Sequence, residues 1–148
     1  MPKIEVAALP FIARGGYPPP HDKLVAGRSR KRLGDEAGLT QFGVNLARLP
    51  PGAFSSLRHW HESQDEFVFV VEGELTLIED GGESVLRAGE AAGFKAGVAN
   101  AHHLANRSGR DAVYLEVGTR TPRERAHFPD AGLVVDVDET GSRYSRKA

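Results

Sequence analysis

His59 and His61, with Glu66 five residues further on, form the part of the chain whose residue types and spacing could do chemistry. Alternate residues of an extended strand point to one side, so His59 and His61 present two imidazoles on a shared face. Glu66 has the wrong parity to join them in one straight strand. The polar run Glu62-Ser63-Gln64-Asp65 supplies a turn, after which Glu66 opens an antiparallel strand and faces the histidines. Two imidazoles and a carboxylate converging on one point suit a divalent transition metal: Fe, Mn, Ni, Co, Cu or Zn. A histidine pair in a strand is by itself more often surface decoration or a hydrogen-bonded core pair. The carboxylate after a short turn, followed by Gly73 at a hairpin, shifts the balance to a metal site.

The rest of the composition removes competing chemistries. The chain has 148 residues and no cysteine, so disulfides, thiolate metal sites and a cysteine nucleophile are excluded. The absence of cysteine fits a reducing cytoplasm. Nineteen Lys and Arg against 20 Asp and Glu leave a net charge of −1, which favours neither nucleic acid nor a membrane surface. The basic run Arg28-Ser29-Arg30-Lys31-Arg32 sits beside Asp35 and Glu36 and reads as a solvated strand or arm. The N-terminus lacks the apolar core of a signal peptide, and no apolar run approaches the roughly 18 residues that span a bilayer. No phosphate-cradling glycine loop, nucleophile elbow or dinucleotide fingerprint is present. A soluble, cytoplasmic protein is expected.

The elements that must position the site read as all-β. Residues 1–38 carry many breakers, among them Pro10, Gly15, Gly16 and Pro18-Pro19-Pro20, and form an irregular arm against the barrel or a partner subunit. From residue 39 to 120 short strands alternate with turn signals. Glu74–Ile78 pairs with Glu83–Leu86 across Asp80-Gly81-Gly82, and Ala112–Val117 is the last clear strand. Residues 121–148 form a short extension. Thr121-Pro122-Arg123-Glu124 suggests a brief helical turn, and the polar end GSRYSRKA is expected to fray. In Glu66–Val71 both faces are apolar, Val68 and Val70 on one, Phe67, Phe69 and Val71 on the other. One lines the barrel and the other needs a second sheet, the N-terminal arm or another subunit, of which a homodimer is the expected cover.

Gly52, His59, His61, Glu66 and Gly73 match every fixed position of G-x5–6-H-x-H-x3–4-E-x6-G, and here the chain resembles the cupin superfamily. The family's second motif, G-x5-P-x-G-x2-H-x3-N, resembles Gly89 to Asn106, with Lys95 in place of proline and four residues between Gly97 and His102. The resemblance covers about residues 40–118. It implies a double-stranded β-helix, or jelly-roll barrel, and a fourth metal ligand from the second motif. His102 is the choice because its spacing to Asn106 matches, and His103 then faces away as an outer or supporting imidazole.

The remaining polar residues have plainer readings. Trp60 should face outward and pack against the arm. Gln41, Asn45 and Arg48 lie on a strand of the barrel wall, as outer polar residues rather than partners of the ligands. Lys95 stands near the expected mouth as a solvated turn lysine, and Asn106 ties down a turn. His21 and His127 are expected on the surface.

Three functions fit such a site: a metal-dependent oxygenase, a non-redox isomerase, lyase or decarboxylase, and a non-catalytic binding barrel. A sugar-phosphate isomerase would want a basic phosphate clamp, and the inward positions Val68, Val70, Leu75 and Leu77 offer none. Dioxygenase chemistry on a small organic molecule therefore leads, because the metal does most of its work.

Overall fold

The computed structural model describes residues 2–13 and 16–147, so Gly15 lies outside the described residues. Twelve strands are present among them: β1 (Ser29–Arg32), β2 (Phe42–Leu49), β3 (Trp60–His61), β4 (Glu66–Glu72), β5 (Glu74–Glu79), β6 (Gly82–Arg87), β7 (Ala91–Phe94), β8 (His103–Ala105), β9 (Ala112–Thr119), β10 (Glu124–Phe128), β11 (Leu133–Asp138) and β12 (Gly141–Arg146). A single turn of α-helix, Leu33–Glu36, joins β1 to β2. No helix is long and apolar enough to cross a membrane among the described residues.

One wall is the five-stranded sheet β1-β2-β9-β4-β7. Along β4, Val68 and Val70 are buried while Phe67, Phe69 and Val71 are exposed, as alternation requires. Facing it is the sheet β6-β5-β8, built on the predicted hairpin with Asp80 and Gly81 as its loop. Leu49, Val68, Val70, Leu75, Leu77, Leu104 and Tyr114 fill the space between. Gly73 makes the β4–β5 turn possible. Its φ is +75°, and a Cβ there would lie 2.9 Å from the Asp111 carbonyl oxygen.

The third sheet, β12-β11-β10-β3, corrects the reading of the C-terminus. No helical turn begins at Thr121; Glu124 opens a strand that pairs with β3, and the polar end Gly141–Arg146 pairs fully with β11 instead of fraying. Local N-cap propensity loses to long-range pairing here. Leu57, Ala126, Phe128 and Val135 form a second apolar cluster, against which Tyr17 of the arm packs. The Tyr17 hydroxyl also accepts the Leu57 N–H at 3.3 Å.

The arm is a structural member. Ser29–Arg32 pairs with Asn45–Arg48 at the edge of the large sheet, and Ile12 bridges back to Arg30. The run read as solvated is therefore split. Arg28 and Ser29 are buried, and only Arg32 is exposed among the basic residues.

Candidate metal centre

The chain before β3 runs beside β8 and then beside β10, so its histidines sit where the two smaller sheets meet. His59 and His102 exchange both backbone hydrogen bonds, at 3.1 and 2.9 Å, as an antiparallel bridge. Directly opposed residues of such a pair point to the same side, which brings the two imidazoles together. Their ring centroids are 4.8 Å apart, and those of His59 and His61 4.9 Å. The predicted turn at 62–65 is pinned from both sides. Glu124 accepts the N–H groups of Glu62 and Ser63 at 3.0 and 3.1 Å, and Asp65 accepts that of Ala96 at 2.8 Å. Glu66 then opens β4 and turns inward with Val68 and Val70.

Three imidazole Nε2 atoms converge on the Glu66 carboxylate: His59 at 3.3 Å, His61 at 3.2 Å and His102 at 2.7 Å. The ligand atoms of His59, His61 and Glu66 lie within 4.8 Å of one another, a group that could hold a metal ion. His102 is tied to it through Glu66 and clamped by Phe94, whose ring stacks on it with centroids 3.5 Å apart. Two of the three opposite ring nitrogens, those of His59 and His102, also find an oxygen within hydrogen-bond reach. Nδ1 of His59 lies 2.9 Å from the Leu57 carbonyl, Nδ1 of His102 lies 3.4 Å from that of Asn100, and Nδ1 of His61 lies 3.8 Å from Glu124. An Nδ1 proton held by oxygen leaves Nε2 as the lone-pair donor, the arrangement of a metal-ligating histidine. The donor set fits a divalent transition metal.

His103 turns elsewhere, its Nδ1 against the Ser56 carbonyl at 2.8 Å and its ring stacked on Phe54. The two-residue insertion in the second motif has not moved His102 off the inner face.

Several expectations need correction. Trp60 does face away from the imidazoles, but it stacks on His127 rather than the arm, with centroids 4.2 Å apart. His127 is accordingly buried, with Nε2 3.0 Å from Glu62. Asn45 points inward and donates to Glu116 at 3.1 Å. Arg48 stays outside, over the Phe11 ring, and Gln41 is exposed. Asn106 fulfils its expected role, with its amide donating to the carbonyls of Leu49 and Arg110.

A cavity of about 470 Å³ opens onto the imidazoles and Glu66, and Arg28, Arg30, Tyr114 and Glu116 also line it. A smaller recess of about 220 Å³ reaches His61, Glu66 and His102 from the side of exposed Lys95. Arg28 is only 7% exposed and donates to the Ser55 carbonyl; Arg30 forms an ion pair with Glu116. Both arginines were missed as site residues. Strand alternation in Arg28–Arg32 could have shown that some of these charges face inward, had the arm been read as part of the sheet.

Electrostatics tie the groups together. Burial pushes the Glu66 carboxyl up, but the charge of His59 and the imidazole hydrogen bonds outweigh it, and the carboxyl lies well below its ordinary range. Burial depresses His59, and the Glu66 carboxylate more than reverses this. Burial, then the adjacent Arg30, pushes Arg28 down.

The Cupin domain family matches residues 45–118. The structure is similar to that of a sugar phosphate isomerase from a cupin superfamily of Silicibacter pomeroyi, at 46% identity and a TM-score of 0.96, over 99% of this chain and 93% of that one. A second similar structure, from Acidithiobacillus ferrooxidans and provisionally assigned as a sugar phosphate isomerase, has 27% identity and a TM-score of 0.77, covering 80% of this chain and 76% of that one. The polyketide cyclase of Streptomyces resistomycificus shares the fold at 19% identity and a TM-score of 0.65, over 80% and 79% of the two chains. No curated protein matches the sequence. The first motif, the barrel, and the match over 45–118 agree: the chain belongs to the cupin superfamily.

Proposed function

We propose that the chain is a metal-dependent isomerase of a small phosphorylated sugar, with His59, His61, Glu66 and His102 holding one divalent transition metal. The observation that carries this reading is the presence of Arg28 and Arg30 in the wall of the cavity that opens onto the imidazoles. The dioxygenase expectation led because no cation was found among the inward positions Val68, Val70, Leu75 and Leu77. Two arginines from the arm remove that ground. The likeness to the Silicibacter pomeroyi sugar phosphate isomerase, which extends over nearly the whole chain, supports the same choice.

Isomerisation of a sugar moves a proton between neighbouring carbons with no net oxidation. Held by His59, His61, Glu66 and His102, a divalent ion would supply Lewis-acid polarisation of the sugar's carbonyl oxygen. The protein's own contribution is to orient and to shield. Phe94 fixes the His102 ring, Glu124 rigidifies the turn that leads into Glu66, and the guanidinium groups of the cavity wall counter the charge of a phosphorylated substrate. A cavity of about 470 Å³ is within the usual range for small-molecule sites.

The test is to load the protein with each of the six metals and incubate it in D2O with a panel of aldose and ketose phosphates. Deuterium entering the carbon beside the carbonyl, without oxygen uptake, is the expected result. Oxygen consumption with a diketone or catechol, and no deuterium entry from any sugar phosphate, would restore the oxygenase reading.

A further inference from the structure

The larger cavity contains a second polar set that the metal donors do not use. Arg28 and Arg30 come from the arm and Tyr114 and Glu116 from β9. Tyr114 is 1% exposed, and its hydroxyl has no hydrogen-bond partner among the described residues. A buried hydroxyl without a protein partner is costly, and it is able to donate to a ligand in the cavity. Of the carboxylates in this wall, Glu66 faces the imidazoles, Glu124 takes the Glu62 and Ser63 N–H groups, and Glu116 is shared between Arg30 and Asn45. Among the described residues, Arg28 and Arg30 share this part of the wall with a single carboxylate, Glu116. Arg28 is held in the wall of the same cavity as the metal donors. It donates to the Ser55 carbonyl, and the neighbouring Ser56 hydroxyl lies 3.3 Å from Nδ1 of His59.

We propose that Arg28, Arg30 and the Tyr114 hydroxyl form the phosphate-binding subsite of the cavity, holding the phosphate monoester end of the substrate while its carbonyl end meets the imidazole cluster. This rests on the reading above that the substrate is phosphorylated. A phosphate dianion offers three acceptor oxygens, and the planar fork of a guanidinium matches two of them at once. The phenol supplies a further donor. The depressed basicity of Arg28, caused by burial and by its like-charged neighbour, is the strain that an anion would relieve. In this assignment the arm forms part of the substrate-binding wall.

Titration of the full chain with inorganic phosphate, followed by calorimetry, tests the subsite separately from turnover. Arg28→Gln should weaken phosphate binding by about tenfold or more. Tyr114→Phe should weaken it by roughly fivefold while raising the melting temperature of the ligand-free protein, because the hydroxyl removed has no protein partner. His61→Ala, which disrupts the metal donors, should leave phosphate affinity within about twofold, since the subsite holds its own charge. Acetate should bind more weakly than phosphate. Unchanged phosphate affinity in both folded Arg28→Gln and Tyr114→Phe variants would overturn the subsite, as would loss of binding in His61→Ala alone or equal binding of acetate. If phosphate binds as described but no sugar phosphate is isomerised, the proposed reaction fails and the subsite stands.

Discussion

Glu124 Oε2 lies 3.8 Å from Nδ1 of His61 while the same carboxylate accepts the backbone N–H groups of Glu62 and Ser63. One buried side chain thus serves both the imidazole of β3 and the turn that delivers Glu66. His61 Nδ1 has no hydrogen-bond partner among the described residues, and Glu124 is its nearest carboxylate. Replacing an outer carboxylate of this kind typically costs about tenfold or more in metal affinity. Glu124→Gln should show that loss in a chelator competition while keeping one oxygen for the turn. Glu124→Ala should also melt at a lower temperature. Metal affinity unchanged in both would leave Glu124 with a purely structural role.

His102 and His103 separate by face. His102→Ala removes the imidazole 2.7 Å from Glu66 and should lower metal retention on dialysis. His103→Ala removes a ring stacked on Phe54 and should cost about 1 kcal/mol of stability with metal retained. The reverse order would mean that the bridge between His59 and His102 does not define the site.

The contrast between these residues and Glu124 shows where the sequence was legible. His59, His61 and Glu66 could be read because their spacing is local, and because parity alone demands the turn between them. The hairpin of β5 and β6 was equally plain from Asp80-Gly81. Arg30 was hidden because its direction depends on pairing with Asn45–Arg48, well separated along the chain, and Arg28 because it immediately precedes that strand. Glu124 was hidden by a local helix-start signal that pairing with β3 overrides. The strand Leu133–Asp138 lies beyond Ala112–Val117, the last strand read from the sequence, and its β-branched Val134, Val135 and Val137 were the signal that could have shown it.

The C-terminal sheet should matter for stability in proportion to its buried side chains. Phe128 is 5% exposed and packs against Tyr17, Tyr144 and His59. Phe128→Ala is expected to cost about 3–5 kcal/mol in a denaturant titration. A loss below about 1 kcal/mol would show that this sheet contributes little to folding.

The pH dependence of the metal-free protein has two limbs. Glu66 is held below its ordinary value of 4.5, so its contribution is present above that value and is lost as pH falls through the depressed pKa. His59 is raised above 6.5, so its contribution is complete below 6.5 and is lost as pH rises through the raised pKa. Thermal melts of the metal-free protein should therefore peak between these values. Metal requires deprotonated imidazoles, so the loaded protein should gain stability toward pH 8 instead. An alkaline limb identical in the two forms would contradict the placement of His59 at the metal.

The homodimer expectation rests on Phe67, Phe69 and Val71, which are 42, 37 and 45% exposed on the outer face of the large sheet. Large exposed apolar residues clustered on one face favour association. Light scattering should find a dimer, and Phe67→Lys with Phe69→Lys should give a folded monomer. A monomeric starting protein would refute the expectation.

Elemental analysis of the protein after loading and gel filtration measures directly whether the four side chains His59, His61, Glu66 and His102 hold a metal. About one divalent metal per chain is expected, reduced to a small fraction in His61→Ala and Glu66→Ala variants that remain folded. Stoichiometric metal retained by those variants, or none taken up by the unmodified protein, would contradict that ligand set.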